Sequence, residues 1–349
     1  MVMNREEEKL NYPWEVKYKI EQENLATYLQ AAEYINQSGA DLVCLEHEYG
    51  IFGGNNGEYI LPFIESLKIP LVTTLHTVVD DAKSTKGRML HRIIENSVAV
   101  TVMLEKVKEK LVSDYGISDE KIVTIPHGTP DLPYSSTAPY KKKRNLSDRI
   151  ILGNINLLSP SRGVEYSLEA VALIAKKYPN VLYVVIGQTH PVYARERGEE
   201  YRNFLKKRVK ELGIEKNVRF VNEYLSLDEL INWLKTLDYY VTAYLDPQQA
   251  ASGALAYAVG SGKSCISSSY LYAREILAEG RGVLVPFKDS KAIADAVINL
   301  QGNSEKKSTM EKKAYEYGRL MTWPNVAFQY LELFRTVIDA DVTNHKDDE

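Results

Sequence analysis

The stretch from Tyr244 to Ser269 carries the residue types best suited to binding an anion. The apolar run Tyr239 to Leu245 predicts a buried strand that ends before Pro247. Ser252-Gly253 then supply a cap and a close-approach glycine for a short helix over Ala254 to Val259. Such a helix points unpaired N–H groups and the positive end of its dipole at the crevice where α/β sheets bind ligands. The pattern predicts a phosphate site, although a plain helix cap and turn would use the same residues.

The segment Gly262-Lys263-Ser264 imitates the end of a nucleotide-binding P-loop. That motif needs a glycine where Tyr257 stands, and its lysine must precede a helix rather than follow one. The sequence therefore does not favour an NTPase.

Composition limits the class of protein. The chain has 349 residues, enough for two domains, and its 44% hydrophobic and 26% charged residues are ordinary for a soluble globular protein. A net charge of -4 offers no basic face for nucleic acid. The longest apolar runs, such as Val181 to Ile186, are strand-sized and predict no transmembrane segment. Cys44 and Cys265 lie in apolar runs, which predicts reduced core cysteines in a cytoplasmic protein.

Hydrophobic periodicity predicts strands that alternate with helices along most of the chain. The predicted strands are Asp41 to Leu45, Ile69 to Leu75, Val98 to Val102, Ile122 to Ile125, Ile150 to Ile155, Val181 to Ile186, Val218 to Val221, Tyr239 to Tyr244 and Gly282 to Val285. The predicted helices are Leu25 to Ile35, Glu58 to Leu67, Arg88 to Glu95, Leu104 to Tyr115, Glu165 to Lys177, Glu199 to Leu212, Leu227 to Thr236, Ala292 to Leu300 and a long region from Ser304 to Ile338. This order favours an α/β fold with two doubly wound, Rossmann-like domains.

The alternation of predicted strands and helices stops over residues 126–148, which are rich in proline and contain the run Lys141-Lys-Lys-Arg144. This segment is interpreted as the linker, with its basic run solvated. The predicted divisions are residues 1–140 for the amino-terminal domain, 141–309 for the carboxyl-terminal domain and 310–349 for a helical tail.

Several landmarks in this order carry a resemblance to a known family. They are Leu75-His-Thr77, Ile125-Pro-His-Gly128, Ser159-Pro-Ser-Arg-Gly163, Val185-Ile-Gly187, Val218-Arg-Phe-Val-Asn222 and Tyr257-Ala-Val-Gly-Ser-Gly262. Together they resemble the retaining nucleotide-sugar glycosyltransferases of GT-B architecture, of the group 1 or family four type, from about Asp41 to Ile338. The resemblance implies two Rossmann-like domains facing each other across a cleft, with the tail crossing back to the amino-terminal domain.

The same resemblance implies an activity and its partners. A hexose would pass from a nucleotide diphosphate sugar to a hydroxyl acceptor, a glycan or small molecule, with retention and without a metal ion or other cofactor. In metal-free enzymes of this kind, basic side chains and a helix amino terminus neutralise the diphosphate. The implied donor-binding residues are Arg162, Gly163, Asn222, Ser252, Gly253, Ala254 and Tyr257.

The implied reacting and acceptor groups lie in two places. One is the loop after the first predicted strand, and the other is the end of the second predicted strand. His76 stands where family members place a histidine beside the reacting sugar, and it could donate or accept a proton or hydrogen bond. The implied acceptor residues are Glu48, Tyr49, Gly53 and Gly54, with carboxylates for hydroxyls and the rings of Tyr49 and Phe52 for stacking. Metal binding by Glu46, His47 and Glu48 is disfavoured, since adjacent side chains do not easily converge on one ion.

The chain departs from the family pattern at two places. Where the family has two glutamates eight residues apart, this chain has Gln249 and Tyr257. Gln249 is the second expected catalytic residue, and its neutral amide brings no charge to an oxocarbenium-like transition state. The family's opening strand and its glycine-rich loop have no counterpart before Asp41. A catalytically impaired, glycosyltransferase-like binding module or subunit that holds a nucleotide or glycan is therefore the alternative, and a two-domain epimerase or phosphorylase is less favoured.

Overall fold

The computed structural model describes residues 1–5 and 10–347, which fold into two compact units. The first unit contains Met1–Pro126 and the chain from Ala327 onward, and the second contains His127–Val326. The chain therefore first passes from one unit to the other between Pro126 and His127, at the start of the proline-rich segment. Each unit is built from parallel strands and helices, as the alternating sequence pattern predicts.

The first unit holds a four-stranded parallel sheet in the order β3-β4-β5-β6 and a separate parallel pair, β1-β2. In chain order its elements are β1 (Val2–Asn4), β2 (Lys19–Glu21), α1 (Leu25–Asn36), β3 (Val43–His47), α2 (Ile60–Glu65), β4 (Leu71–Leu75), α3 (Thr85–Glu95), β5 (Ala99–Val102), α4 (Glu105–Tyr115) and β6 (Ile122–Thr124).

The second unit holds a six-stranded parallel sheet in the order β12-β11-β10-β7-β8-β9. In chain order its elements are α5 (Ala138–Lys143), β7 (Ile150–Ile155), α6 (Val164–Lys177), β8 (Val181–Ile186), α7 (Pro191–Arg197), α8 (Glu200–Glu211), β9 (Val218–Val221), α9 (Leu227–Thr236), β10 (Tyr239–Thr242), α10 (Gly253–Gly260), β11 (Ser264–Ser268), α11 (Leu271–Ile276), β12 (Val283–Val285), α12 (Ser290–Gln301) and α13 (Ser304–Leu320).

The strand order of the second unit creates a topological switch point between β7 and β10. The chain leaves β7 for β8 and β9 on one side, then returns to place β10 against the other side of β7. All six residues of β8 are buried, because helices cover both faces of a parallel sheet. Ligands of open α/β sheets bind at the carboxyl ends of the strands at such a point.

The last helix, α14 (Trp323–Asp347), starts in the second unit and continues into the first. Within the first unit, the hydroxyl of Tyr330 lies 3.1 Å from the Thr74 hydroxyl and 3.3 Å from that of Thr101. These two threonines come from the adjacent strands β4 and β5, so the helix is bonded to the sheet. In the described residues, no helix is both long enough and apolar enough to cross a membrane.

The basic run in the proline-rich segment is not simply solvated, contrary to its sequence interpretation. Its three lysines form the second half of α5, and the Lys141 Nζ atom lies 2.5 Å from the Asp238 carboxylate. That carboxylate also accepts hydrogen bonds from the Ile151 amide and the Thr137 hydroxyl. The Arg144 guanidinium stacks 3.8 Å above the Trp233 ring. A half-buried carboxylate and an aromatic face, neither visible in local sequence, thus fix this segment.

The two cysteines differ in their environment. Both are free thiols, and Cys265 is buried as predicted, but Cys44 is exposed. The expectation of a core position for Cys44 is wrong because Cys44 lies with exposed Glu46 on the face of β3 opposite to buried Leu45.

Candidate functional site

The loops at the switch point of the second unit bring together most of the predicted donor residues. The loop after β7 carries Arg162 and Gly163, and the loop after β10 carries Gln249 and leads into α10. The two loops are joined directly, because the Leu245 amide donates a 3.0 Å hydrogen bond to the Ser161 carbonyl. Because β7 and β10 are neighbouring parallel strands, their carboxyl ends meet at the same edge of the sheet.

The amino terminus of α10 is prepared for an anion. The Ser252 hydroxyl caps the helix by accepting from the Leu255 amide at 3.3 Å, and the Ala256 amide begins the regular helical bonds to the Ser252 carbonyl. The N–H groups of Gly253 and Ala254 lie in the first turn, where the helix offers them no carbonyl acceptor, so they point outward as hydrogen-bond donors. A Cβ atom at Gly253 would lie 2.9 Å from the His127 Nε2 atom, so a side chain there would displace the His127 ring.

Arg162 is held by the glycine that follows it. Gly163 has a φ of 59°, and a Cβ atom at this position would lie 2.2 Å from the Ala243 carbonyl oxygen. Only glycine allows this approach, which presses the arginine loop against the end of β10. The Arg162 guanidinium lies 4.5 Å from the centre of the Tyr244 ring. Its Nε atom is buried and has no hydrogen-bond partner among the described residues.

A cavity of about 370 Å³ opens beside the start of α10. Its walls are mainly apolar, with Gly253, Ala254 and Tyr257 on the side of α10. The other lining residues are His127, Ile155, Asn156, Leu157, Ile186, Gly187, Gln188, Glu223, Tyr224, Leu225, Leu230 and Leu234. Asn222, a predicted donor residue, is exposed and precedes the lining residues. The volume is within the range of small-molecule sites in proteins.

The cavity includes residues that sequence reasoning did not assign to the site. Both amide atoms of Asn156 are buried without a hydrogen-bond partner in the described chain. Gly187 has a φ of 128°, and a Cβ atom there would lie 2.0 Å from the Asn156 carbonyl oxygen. Arg202, only 2% exposed, donates to the Gly187 carbonyl at 2.9 Å and supports this loop from below. Two sequence patterns could have indicated these cavity residues: the glycine that follows β8, and the Pro-His-Gly landmark, which contains His127.

Gln249 lies in the loop before α10 but does not line the cavity. Its amide nitrogen donates a 2.8 Å hydrogen bond to the Ala251 carbonyl, so the side chain folds back onto its own loop. The Gln249 carbonyl in turn accepts from the Tyr272 amide at 3.0 Å, which ties the loop to α11.

In the first unit, the ends of β3 and β4 form a polar cluster. The His76 Nε2 atom lies 2.7 Å from a carboxylate oxygen of Glu46. The Thr77 hydroxyl donates to the Glu48 carboxylate at 2.6 Å, and the Tyr49 amide donates to its other oxygen at 2.9 Å. The His76 side chain is partly exposed.

The loop after β3 is held together by the residues predicted to contact an acceptor. Tyr49 and Phe52 are each 6% exposed and pack around His47 instead of presenting their rings as a sugar-stacking surface. Burial raises the pKa of the Tyr49 hydroxyl above its usual range. A Cβ atom at Gly53 would lie 1.8 Å from the Gln22 carbonyl oxygen, so that glycine is required by packing. Gly54, with a φ of 77°, remains partly accessible.

Glu46 and His47 point to opposite faces of β3, because side chains alternate along a strand. Glu46 is exposed and bonds His76, whereas His47 is fully buried. Within residues 1–5 and 10–347, no group of three or more His, Cys, Asp or Glu side chains is arranged to hold a metal ion.

Comparison with known families decides the class of protein. The model for the glycosyl transferases group 1 matches residues 137–317, more than half of the chain, and the model for glycosyltransferase family 4 matches residues 4–131. The chain belongs to the group 1 glycosyltransferases. The resemblance to group 1 glycosyltransferases drawn from the sequence landmarks is therefore confirmed, and the retaining mode of transfer stays a prediction.

Individual relatives of this glycosyltransferase are distant. The D-inositol 3-phosphate glycosyltransferase of Corynebacterium glutamicum is 23% identical in an alignment of 289 residues that covers 78% of this chain and 68% of that protein. A protein of the same name from Corynebacterium urealyticum is 26% identical over 188 residues, or 54% of this chain and 43% of that protein.

Solved structures show the fold of the glycosyltransferase. HepE of Anabaena, in complex with UDP and glucose, superposes with a TM-score of 0.71 at 15% identity, covering 89% of this chain and 81% of that one. The sucrose-phosphate synthase of Thermosynechococcus elongatus gives 0.73 at 18% identity, covering 90% of this chain and 78% of that one. The predicted GT-B fold with two Rossmann-like domains is confirmed.

The buried histidine of this glycosyltransferase predicts a dependence of stability on pH. Burial, reinforced by the charge of nearby His76, lowers the pKa of His47 to about 4. The unfolded chain, with an ordinary histidine pKa of about 6.5, binds this proton first as the pH falls, so the folded state loses stability between those two values. We expect this residue to make the free energy of unfolding about 2 kcal/mol smaller at pH 5 than at pH 7.

Urea unfolding of the wild type and of His47→Leu at both pH values measures this effect. The variant should lose that part of the pH dependence, whereas the control His91→Leu, at a partly exposed histidine, should keep it. Equal pH dependence in wild type and His47→Leu would contradict the assignment.

Proposed function

We propose that this glycosyltransferase moves a hexose from a nucleoside diphosphate sugar to a hydroxyl acceptor with retention and without a metal ion. The observation that carries the proposal is the amino terminus of α10, whose Gly253 and Ala254 line the apolar cavity at the topological switch point. One place thus offers an anion site and an apolar, ligand-sized cavity. A nucleoside diphosphate combines the same two chemistries.

The diphosphate is the group that departs with negative charge when the bond to the sugar breaks. Two features at the switch point oppose that charge: the positive end of the α10 dipole and the Arg162 guanidinium. The buried, unpartnered Nε atom of Arg162 is a donor that a phosphate oxygen would satisfy. Because these groups are fixed before the reaction, they stabilise the leaving group without reorganisation. They are the protein's substitute for a metal ion.

The nucleoside fits the apolar part of the cavity. Leu157, Ile186 and Leu225 provide a surface for a flat base, and the unpartnered amide of Asn156 offers both a donor and an acceptor. Asn222 stands at the start of the exposed segment that leads into this wall. The related HepE structures contain UDP or UDP-glucose, which supports a nucleotide sugar as the class of donor.

The family resemblance implies that Gln249 and His76 each contact the reacting sugar. The Gln249 amide nitrogen is occupied by Ala251, which leaves its amide oxygen to accept a hydrogen bond from a sugar hydroxyl. Glu46 orients the His76 ring, so that the other ring nitrogen can hydrogen-bond the hexose or its phosphate. Glu48 and Gly54 are the acceptor-side groups, while Tyr49 and Gly53 give their loop its shape.

The second candidate function is a binding module that holds a nucleotide or glycan without efficient transfer. The neutral side chain at Gln249, folded onto Ala251, favours it, since an amide stabilises developing positive charge less than a carboxylate. Turnover of a nucleotide sugar separates the two functions. The cytoplasmic location predicted from the cysteines stays a prediction.

Replacing Arg162 tests the diphosphate site. We expect Arg162→Ala to weaken UDP binding about 10- to 100-fold, because hydrogen bonds between charged groups are lost, and to change uridine binding less than about threefold. Isothermal titration calorimetry gives both affinities, with GDP and guanosine, and ADP and adenosine, as parallel pairs. The matched control is Arg219→Ala, since Arg219 is exposed on β9. Equal losses for nucleotide and nucleoside would remove Arg162 from the phosphate site.

Replacing Gln249 tests the sugar site. We expect Gln249→Glu to raise turnover, since a carboxylate better stabilises an oxocarbenium-like transition state, and Gln249→Ala to cost about 1–3 kcal/mol in kcat/KM. The adjacent Gln248→Ala is the control, because Gln248 is exposed in the same loop. Unchanged kcat/KM in both Gln249 variants, with an unchanged fold, would show that the sugar lies elsewhere.

A further inference from the structure

Two stacked tyrosines lie beside the candidate phosphate site of the second unit. The Tyr244 and Tyr270 rings are nearly parallel, with centres 5.1 Å apart and planes 20° from each other. Tyr244 is 4% exposed, and Tyr270 is fully buried. Neither residue lines the cavity beside α10.

The two tyrosines come from the carboxyl ends of neighbouring strands. Tyr244 lies two residues beyond β10 and Tyr270 two residues beyond β11, and these strands pair in parallel. The Ser268 hydroxyl donates to the Tyr244 carbonyl at 2.7 Å, and the Leu271 amide donates to the Pro247 carbonyl at 2.9 Å. These bonds tie the two chain segments together, so the place of each ring is fixed by backbone that is itself anchored.

The first ring of the pair holds Arg162. The guanidinium of Arg162 lies 4.5 Å from the centre of the Tyr244 ring, and its buried Nε atom has no hydrogen-bond partner in the described chain. An arginine side chain has many rotamers, and a flat aromatic face limits them by stacking on the guanidinium. The Tyr244 ring therefore restricts where the Arg162 charge can lie.

The second ring of the pair reaches the start of α10. Burial raises the pKa of the Tyr270 hydroxyl above its usual range, and three neighbouring side chains act against that increase: Ser252, Thr242 and Ser267. Ser252 is the residue that caps α10. The Tyr270 hydroxyl makes no hydrogen bond of regular geometry in the described chain, so the contribution of this residue is the packing of its ring.

We infer that the pair of Tyr244 and Tyr270 is a positioning unit of the diphosphate site, which fixes the Arg162 guanidinium relative to the amino terminus of α10. Both groups are proposed to meet the phosphates of one ligand, so their separation has to be set before that ligand binds. Core packing alone would not require one pair of rings to touch both groups. The inference rests on the proposed function, because it assigns a role within the diphosphate site.

Removing the aromatic face of Tyr244 tests this role in the full chain. We expect Tyr244→Leu to weaken UDP binding about 3- to 30-fold, the range of a desolvated contact between a cation and an aromatic ring, and to change uridine binding less than about twofold. Tyr270→Leu, which removes the ring packed on Tyr244, should give a selective loss of UDP affinity of the same kind. Isothermal titration calorimetry measures both ligands.

Three variants serve as controls. Tyr244→Phe keeps the aromatic face, and Tyr270→Phe loses only a hydroxyl without a regular hydrogen bond, so both should bind UDP within about twofold of the wild type. Tyr183→Leu removes another fully buried tyrosine of the same sheet whose hydroxyl is also unpartnered in the described chain. It should lower stability without changing the ratio of UDP to uridine affinity.

A variant of unchanged shape covers the case in which Tyr244→Leu does not fold. Pentafluorophenylalanine at position 244 fills nearly the space of phenylalanine but reverses the charge distribution of the ring face. It should therefore bind UDP more weakly than Tyr244→Phe does, with unchanged affinity for uridine.

Combination with Arg162→Ala separates positioning from core packing. If the ring acts through Arg162, Tyr244→Leu should cause less than about twofold further loss of UDP affinity once the arginine is absent. The same loss in both backgrounds, equal losses for UDP and uridine, or equal UDP affinity of the phenylalanine and pentafluorophenylalanine variants would overturn the inference.

The same measurements distinguish this inference from the proposed function. A selective loss of UDP affinity in Arg162→Ala, with none in Tyr244→Leu or in Tyr270→Leu, would overturn the positioning role and leave the diphosphate site in place. No selective loss in Arg162→Ala would remove Arg162 from the diphosphate site and would overturn the positioning role with it.

Discussion

The parallel pairing of β7 with β10 is the constraint on which the candidate donor site depends. The pairing sets Tyr239 opposite Leu152 and Tyr240 opposite Gly153, so the two strands end at the same level. The arginine loop and the loop before α10 must then share one edge of the sheet. Gly163, forced into the left-handed region and against the Ala243 carbonyl, closes the remaining distance. A larger residue there would push Arg162 away from β10 and separate the two groups proposed to hold the diphosphate.

The buried strands and the start of α10 in this arrangement could be predicted from the sequence, because the residue patterns that indicate them are local. Continuous apolar runs such as Val181–Ile186 mark buried parallel strands, and Ser252-Gly253 mark the start of α10. What sequence reasoning missed depends on partners far along the chain. Asp238 and Trp233 fix α5, and Cys44 lies on the exposed face of β3. Tyr49 is a core residue because His47 lies beside it, which a loop rich in glycine does not reveal.

The polar cluster of the first unit depends on the pairing of two neighbouring strands. β3 carries Glu46, whose carboxylate lies 2.7 Å from the Nε2 atom of His76, the residue that follows β4. The parallel register sets Glu46 opposite Thr74 and His47 opposite Leu75, so the carboxyl ends of the two strands lie side by side and Glu46 can orient the His76 ring.

The central claim is that the amino terminus of α10 binds the diphosphate of a nucleotide. Hydrogen–deuterium exchange resolved to single amides, with UDP-glucose and with uridine at saturation, tests it most directly. The account predicts that UDP-glucose slows exchange at Gly253 and Ala254 while uridine does not, since only the former brings phosphate to these donors. Unchanged exchange at both amides, with protection of another part of the chain by UDP-glucose, would contradict it.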